Sequence, residues 1–329
     1  MPREGRHPRP AAHREQPVTG QHPLAGRQPV VAAVLPHPPL LVPELAGAAA
    51  VELDPLRAAC HKALSTVLDT ADMIVVVGDG PVWGVPEPAA AGSFQPYGAD
   101  VEVTLPAVVA LDLPGLPPPA RLGHLSLSLA VAAHLLAALD PPPARLAAVT
   151  VPGSLGPGAA AAIGRALTAA AQEFGATGVV AMADLSACRT EPAPGAFREE
   201  AAGFDASIAE AFRSGDPARL LDLDPAEAAD LLVAGRVPLQ ALAGAFAEGP
   251  HGDRGGVDGE GLVVGGRSGE EGSLGRRGGS RGEMSVADGS GTVTGGEESV
   301  VVERPLRGQV LYDDAPYGVG YLVALLTAP

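Results

Sequence analysis

The sequence predicts an α/β domain with a mainly parallel central sheet and helices on both faces. Three observations predict it. Four continuous apolar runs, Val30–Leu35, Met73–Val77, Leu146–Val151 and Gly178–Met182, have strand length and suit strands buried on both sides. Segments of helical spacing separate them, so each pair of neighbouring strands is joined by a crossover. A further apolar run, Gly320–Leu326, closes the chain after a stretch from Phe197 to Phe246 that is helical in pattern only.

Each helical segment carries its own signal. Asp54-Pro55 reads as a cap and first turn, after which Leu56, Cys60, Ala63, Leu64 and Val67 recur at helical spacing. Leu125–Leu139 and Gly158–Phe174 have the same period. Breaks in the 197–246 region are expected at Gly215-Asp216-Pro217 and at Gly235. Two segments stand outside this rhythm. Residues 1–28 mix Pro, His, Arg and Gln without apolar periodicity or a signal-peptide h-region, and read as a disordered tail. The stretch at about 248–303 holds 18 of the 43 glycines and few apolar clusters, too little to offset its ordering entropy. It reads as a disordered insertion in one domain spanning 29–329.

Composition excludes several classes of function. A net charge of −16, with Lys62 the sole lysine, argues against nucleic-acid binding, which needs a basic face. No apolar run is long enough to span a membrane. Two cysteines, Cys60 and Cys188, are too few for a disulfide scaffold and point to a reducing cytoplasm. Homo-oligomerisation is left open.

Open parallel sheets bind ligands outside the carboxyl ends of their strands. The first strand is followed by Pro36-His37-Pro38-Pro39, the second by Gly78-Asp79-Gly80-Pro81, and the fourth by Asp184-Leu185-Ser186-Ala187-Cys188. Asp313 and Asp314 precede the last strand. One imidazole and several carboxylates are therefore expected at one sheet edge. The plainer reading of each is a loop His or a turn-forming Asp. His61, His124 and His134 have no evident partner, Cys188 lacks a CxxC spacing, and Gly78-Asp79-Gly80 is far short of a phosphate loop.

The opening Val-Ala-Ala-Val-Leu-Pro36-His37-Pro38-Pro39-Leu-Leu-Val-Pro43-Glu44 resembles that of the class III extradiol ring-cleavage dioxygenases, B-subunit superfamily, and most of all the actinobacterial proteins with a B-subunit-like domain. Further similar stretches are Gly92-Ser-Phe-Gln-Pro-Tyr97-Gly, Leu125-Ser-Leu-Ser-Leu129 and Asp314-Ala-Pro-Tyr-Gly-Val-Gly-Tyr321. The resemblance implies the extradiol dioxygenase B-subunit-like fold and a non-haem Fe(II) site of two His and one Glu, with a further His as acid/base. Such a ligand set leaves open positions for a catecholate and O₂. His37 matches the first ligand. Asp79 stands where the second imidazole would be, and Ala187 where the acid/base His would be. Glu227 and Asp230 lie near the expected third ligand without aligning to it.

Three readings follow. His37, Asp79 and Asp184 hold a divalent ion in an altered site; this harder donor set suits Mn²⁺ or Mg²⁺ as well as Fe(II). Alternatively, the fold serves as a non-catalytic binding or scaffold module without any cofactor. The third is an unrelated small-molecule enzyme of similar topology. A small aromatic molecule is the ligand that the resemblance implies.

Overall fold

The apolar runs form the middle of a large mixed sheet in the computed structural model of the chain, which describes residues 29–247 and 305–329. In chain order the strands are β1 Val31–Leu35, β2 Met73–Asp79, β3 Gly84–Ser93, β4 Glu102–Thr104, β5 Ala120–His124, β6 Leu146–Val151, β7 Thr177–Met182, β8 Arg307–Asp314 and β9 Tyr321–Thr327. The α-helices are α1 Pro43–Ala46, α2 Asp54–Thr70, α3 Leu127–Ala137, α4 Pro157–Ala171, α5 Glu200–Arg213, α6 Pro225–Asp230 and α7 Arg236–Phe246. The sheet order is β4-β3-β6-β2-β7-β1-β9-β8, with β5 beside β3. Its centre, β6-β2-β7-β1, is parallel, while β9 runs antiparallel to β1 and β8 antiparallel to β9.

Alternation along the central strands builds a core on each face. Val31, Ala33 and Leu35 of β1 pack with Leu56, Leu64 and Val67 of α2. Ala32 and Val34 point the other way, towards Phe204 and Ile208 of α5 and Leu239 and Leu242 of α7. Met73, Val75 and Val77 of β2 join Ile163 and Leu167 of α4 in a third cluster. Every residue of β1, β6 and β7 is buried, which is why these strands read as uninterrupted apolar runs.

The sheet is less uniformly parallel than expected. Segment 81–98, where the sequence carries no apolar run of strand length, is mostly β3. Pro86 and Pro88 disguise it, because proline cannot donate to a ladder and is confined to irregular or edge positions. The β3–β5 pairing indeed shifts register between Pro86 and Ala91. β8 goes unmarked for another reason: it is an outer strand whose residues are half-buried or exposed, so no apolar run signals it. Helix α2 starts at Asp54, but Asp54 does not cap it; the cap position is Leu53, and Asp54 instead pairs with Arg57 at 2.7 Å. The breaks expected at Gly215 and Gly235 both occur. The described residues belong to one compact unit. The tail at 1–28 and the Gly-rich insertion at 248–303 lie outside the described residues. Among the described residues no helix is long and apolar enough to cross a membrane.

Candidate functional site

Parallel register brings three loop beginnings to one place. In the centre of the sheet β7 lies between β1 and β2, with Leu35 opposite Met182 and Val77 opposite Ala181. His37, Asp79 and Asp184 each follow those paired positions by two or three residues, so all three emerge at the same carboxyl edge. Their side chains meet. His37 Nε2 lies 3.2 Å from Asp79 Oδ1 and 3.8 Å from Asp184 Oδ2. The backbone amide of His37 also donates to Asp184 Oδ1 at 2.7 Å. His37 is only 4% exposed, whereas the side chain of Asp79 is 36% exposed and that of Asp184 17%.

Asp184 is the fixed member. Its carbonyl accepts from the Gly235 amide at 2.9 Å, just before α7. The residues after it are clamped from three sides. Leu185 N donates to Gly320 O, and Ser186 O accepts from Gly320 N. Ser186 Oγ and Ala187 N both donate to Leu231 O. Ser186 N donates to Asp205 Oδ1 at 3.0 Å, and Arg189 pairs with the other oxygen of Asp205 at 2.8 Å. Burial pushes the Asp184 carboxyl above its ordinary value; His37 opposes that shift and Asp79 reinforces it. Burial likewise raises Asp205, against the hydrogen bonds from Ser186 and Arg189.

Asp205 and Arg236 are positioning residues that sequence reasoning missed. Asp205, 1% exposed, sits on the apolar face of α5 between Phe204 and Ile208. A carboxylate in that stripe was the available signal, since buried Asp is rare unless paired. Arg236 at the start of α7 is buried and donates to the carbonyls of Gly153 and Leu155, in the loop after β6, and to Gln240 Oε1.

Several other residues considered from sequence lie elsewhere. Asp313 is paired with Arg213 at 2.7 Å, and Asp314 bonds the amide of Ala315. Glu227 and Asp230 are exposed on α6. His134 packs edge-on against Phe94 with ring centroids 6.2 Å apart, and burial lowers its pKa. Both cysteines are buried and free, and burial pushes the Cys60 thiol up to about 12, leaving it unreactive at neutral pH.

No family model matches the chain. No curated protein matches it either. Among solved structures, the crystal structure of an uncharacterized protein from Escherichia coli K12 is similar at 12% sequence identity and a TM-score of 0.48. That alignment covers 92% of this chain and 100% of that one.

The cluster fits a metal ion poorly. Among the described residues no group of three His, Cys, Asp or Glu side chains is placed to hold one. His37 Nδ1 is buried without a hydrogen-bond partner, whereas a metal-ligating His almost always bonds its outer ring nitrogen to a carboxylate, carbonyl or water. One oxygen of Asp184 is taken by the His37 amide. What the site offers to solvent is chiefly carboxylate: Asp79 at the opening and Asp184 beneath it. Ionised carboxylates only accept hydrogen bonds, so this edge suits a ligand that donates them.

Proposed function

We propose that the chain is a protein of the extradiol dioxygenase B-subunit-like kind that binds a small hydroxylated aromatic ligand at the carboxyl edge without cleaving its ring by the iron-dependent route. The observation that carries this reading is the His37–Asp79–Asp184 cluster, in which the imidazole faces two carboxylates rather than a second imidazole. The resemblance of the Pro36-His37-Pro38-Pro39 opening supports the class of ligand. The chemistry of the edge supports the mode: aromatic hydroxyls donate to the carboxylates of Asp79 and Asp184. Ala187 cannot move a proton, and positioned acid/base groups typically contribute 10²–10⁴-fold to a rate. A neutral catechol suits this acidic edge better than an aromatic acid, whose carboxylate the two Asp side chains repel.

The test is a turnover assay. Protein incubated anaerobically with Fe(II) and catechol, then exposed to O₂, is expected to give no yellow ring-opened product, while ligand-observed NMR reports catechol bound. Ring opening at enzymatic rates overturns the proposal. So does absence of catechol binding, which leaves His37 and its neighbours as loop structure only.

A further inference from the structure

β3 and β6 share a single registered pair, Gly84 with Thr150, and then diverge. Segment 105–113 fills part of the gap: Val108 bridges to Leu146 in parallel, and the Val109 amide donates to Leu146 O at 2.7 Å. The filling is incomplete. A cavity of about 360 Å³ remains between β3, β6, α4 and the Pro117-Pro118-Pro119 turn. That volume lies within the range of small-molecule sites. Its wall is largely aliphatic, and Val85, Val109, Leu111, Leu113 and Leu116 are left half-buried there rather than sealed into the core. None of the residues of the His37 cluster lines it.

Arg121 lies at this cavity, carried on β5 and held in place by the pairing of that strand with β3. Among the described residues its guanidinium makes no hydrogen bond or ion pair. Arg121 is exposed, so on this chain of net charge −16 its guanidinium is free to meet an anion at the rim of the cavity. We infer that the cavity is a binding site for a small amphipathic carboxylate, its apolar body seated between β3, β6 and α4 and its carboxylate on Arg121. Burying the aliphatic body stabilises the complex by roughly 25 cal/mol per Å² of apolar surface. The planar guanidinium matches a carboxylate in a two-point contact, which selects an anionic head group. Asp112 also lines the cavity, in a segment outside any strand, and disfavours acids carrying a second negative charge.

The molecule carries its own reporter. Trp83 is the sole tryptophan, and its Nε1 donates at 2.9 Å to the carbonyl of Pro117, a cavity-lining residue. Octanoate titrated into the full chain is expected to change Trp83 fluorescence saturably, with 1-octanol and octylammonium binding more weakly. Arg121→Gln should weaken octanoate about fivefold or more, leave 1-octanol unchanged, and leave the melting temperature unchanged because the guanidinium supports nothing in the fold. Arg121→Lys, which keeps the charge but loses the two-point contact, should recover only part of the octanoate affinity lost in Arg121→Gln. No saturable response, equal affinity for octanoate and octanol, preference for octylammonium, or indifference of octanoate to Arg121→Gln each overturns the inference.

Discussion

Replacing Gly164 with alanine drives a methyl group into the backbone of a neighbouring helix. A Cβ at Gly164 of α4 runs into the Ala241 carbonyl oxygen of α7, and would lie 2.8 Å from its carbon and 3.0 Å from Ala245 N. The contact is reciprocal, since a Cβ at Gly244 of α7 meets the Ala161 carbonyl of α4, 2.6 Å from its carbon. Carbon contacts are comfortable at roughly 3.5–4.0 Å, so α4 and α7 must separate by about an ångström. Overpacking of this kind costs about 1–3 kcal/mol. The gain from removing a helical glycine is about 1 kcal/mol. The net loss is therefore up to about 2 kcal/mol, or a fall of several degrees at roughly 2–4 °C per kcal/mol for a domain of this size. Gly203 on α5 supplies the contrast: it is exposed, and an added Cβ meets nothing within 4 Å. Gly203→Ala should raise stability by roughly 0.5–1 kcal/mol. Thermal and urea melts of the two variants beside the parent protein decide the matter. A Gly164→Ala variant more stable than its parent would refute the close approach of the helices, whatever Gly203→Ala does. The consequence reaches the site, because α7 begins directly after the Gly235 amide that holds the Asp184 carbonyl.

Further predictions concern the cluster. Folding raises the Asp184 pKa, so the folded state holds the proton more tightly than the unfolded one, and stability is lost as pH rises from 3.8 through the raised folded value. Asp184→Asn should remove that loss and be more stable than the parent at pH 7; a variant less stable at pH 7 but unchanged at pH 4 contradicts the assignment. Asp205→Ala strands the Arg189 guanidinium and the Ser186 amide, and should cost about 3–5 kcal/mol in a denaturant titration; a loss under about 1 kcal/mol would mean that the loop after β7 is held by other contacts. Asp79→His places a second imidazole beside His37. Two metal-bound nitrogens at right angles sit about 3 Å apart, close to the present 3.2 Å contact. The variant should retain Fe(II) or Zn²⁺ through gel filtration where the parent does not, as measured by elemental analysis, and equal metal content in both would deny Asp79 that position.

The parts of the fold legible in the sequence are those in which one residue's surroundings follow from its neighbours in the chain. β1, β2, β6, β7 and β9 are buried on both faces, so apolar runs mark them. β3 and β8 lie outside that central group, where pairing rather than burial defines a strand, and prolines or polar residues conceal it. The convergence of His37, Asp79 and Asp184 was also legible, because a parallel sheet delivers its strand ends to one edge. The roles of Asp205 and Arg236 were not. Each depends on how its helix is turned and on which loop carbonyl or amide lies opposite, facts fixed only by tertiary packing. The Arg121 cavity was hidden for the same reason, since it arises from the divergence of β3 and β6.

Calorimetric titration of catechol into chelator-treated protein tests the central claim most directly. One saturable site is expected, unaffected by the chelator and weakened about tenfold by Asp79→Ala, which removes a charged hydrogen-bond acceptor from the opening of the site. Binding that appears only after a divalent metal is added, or that ignores Asp79→Ala, would contradict the account.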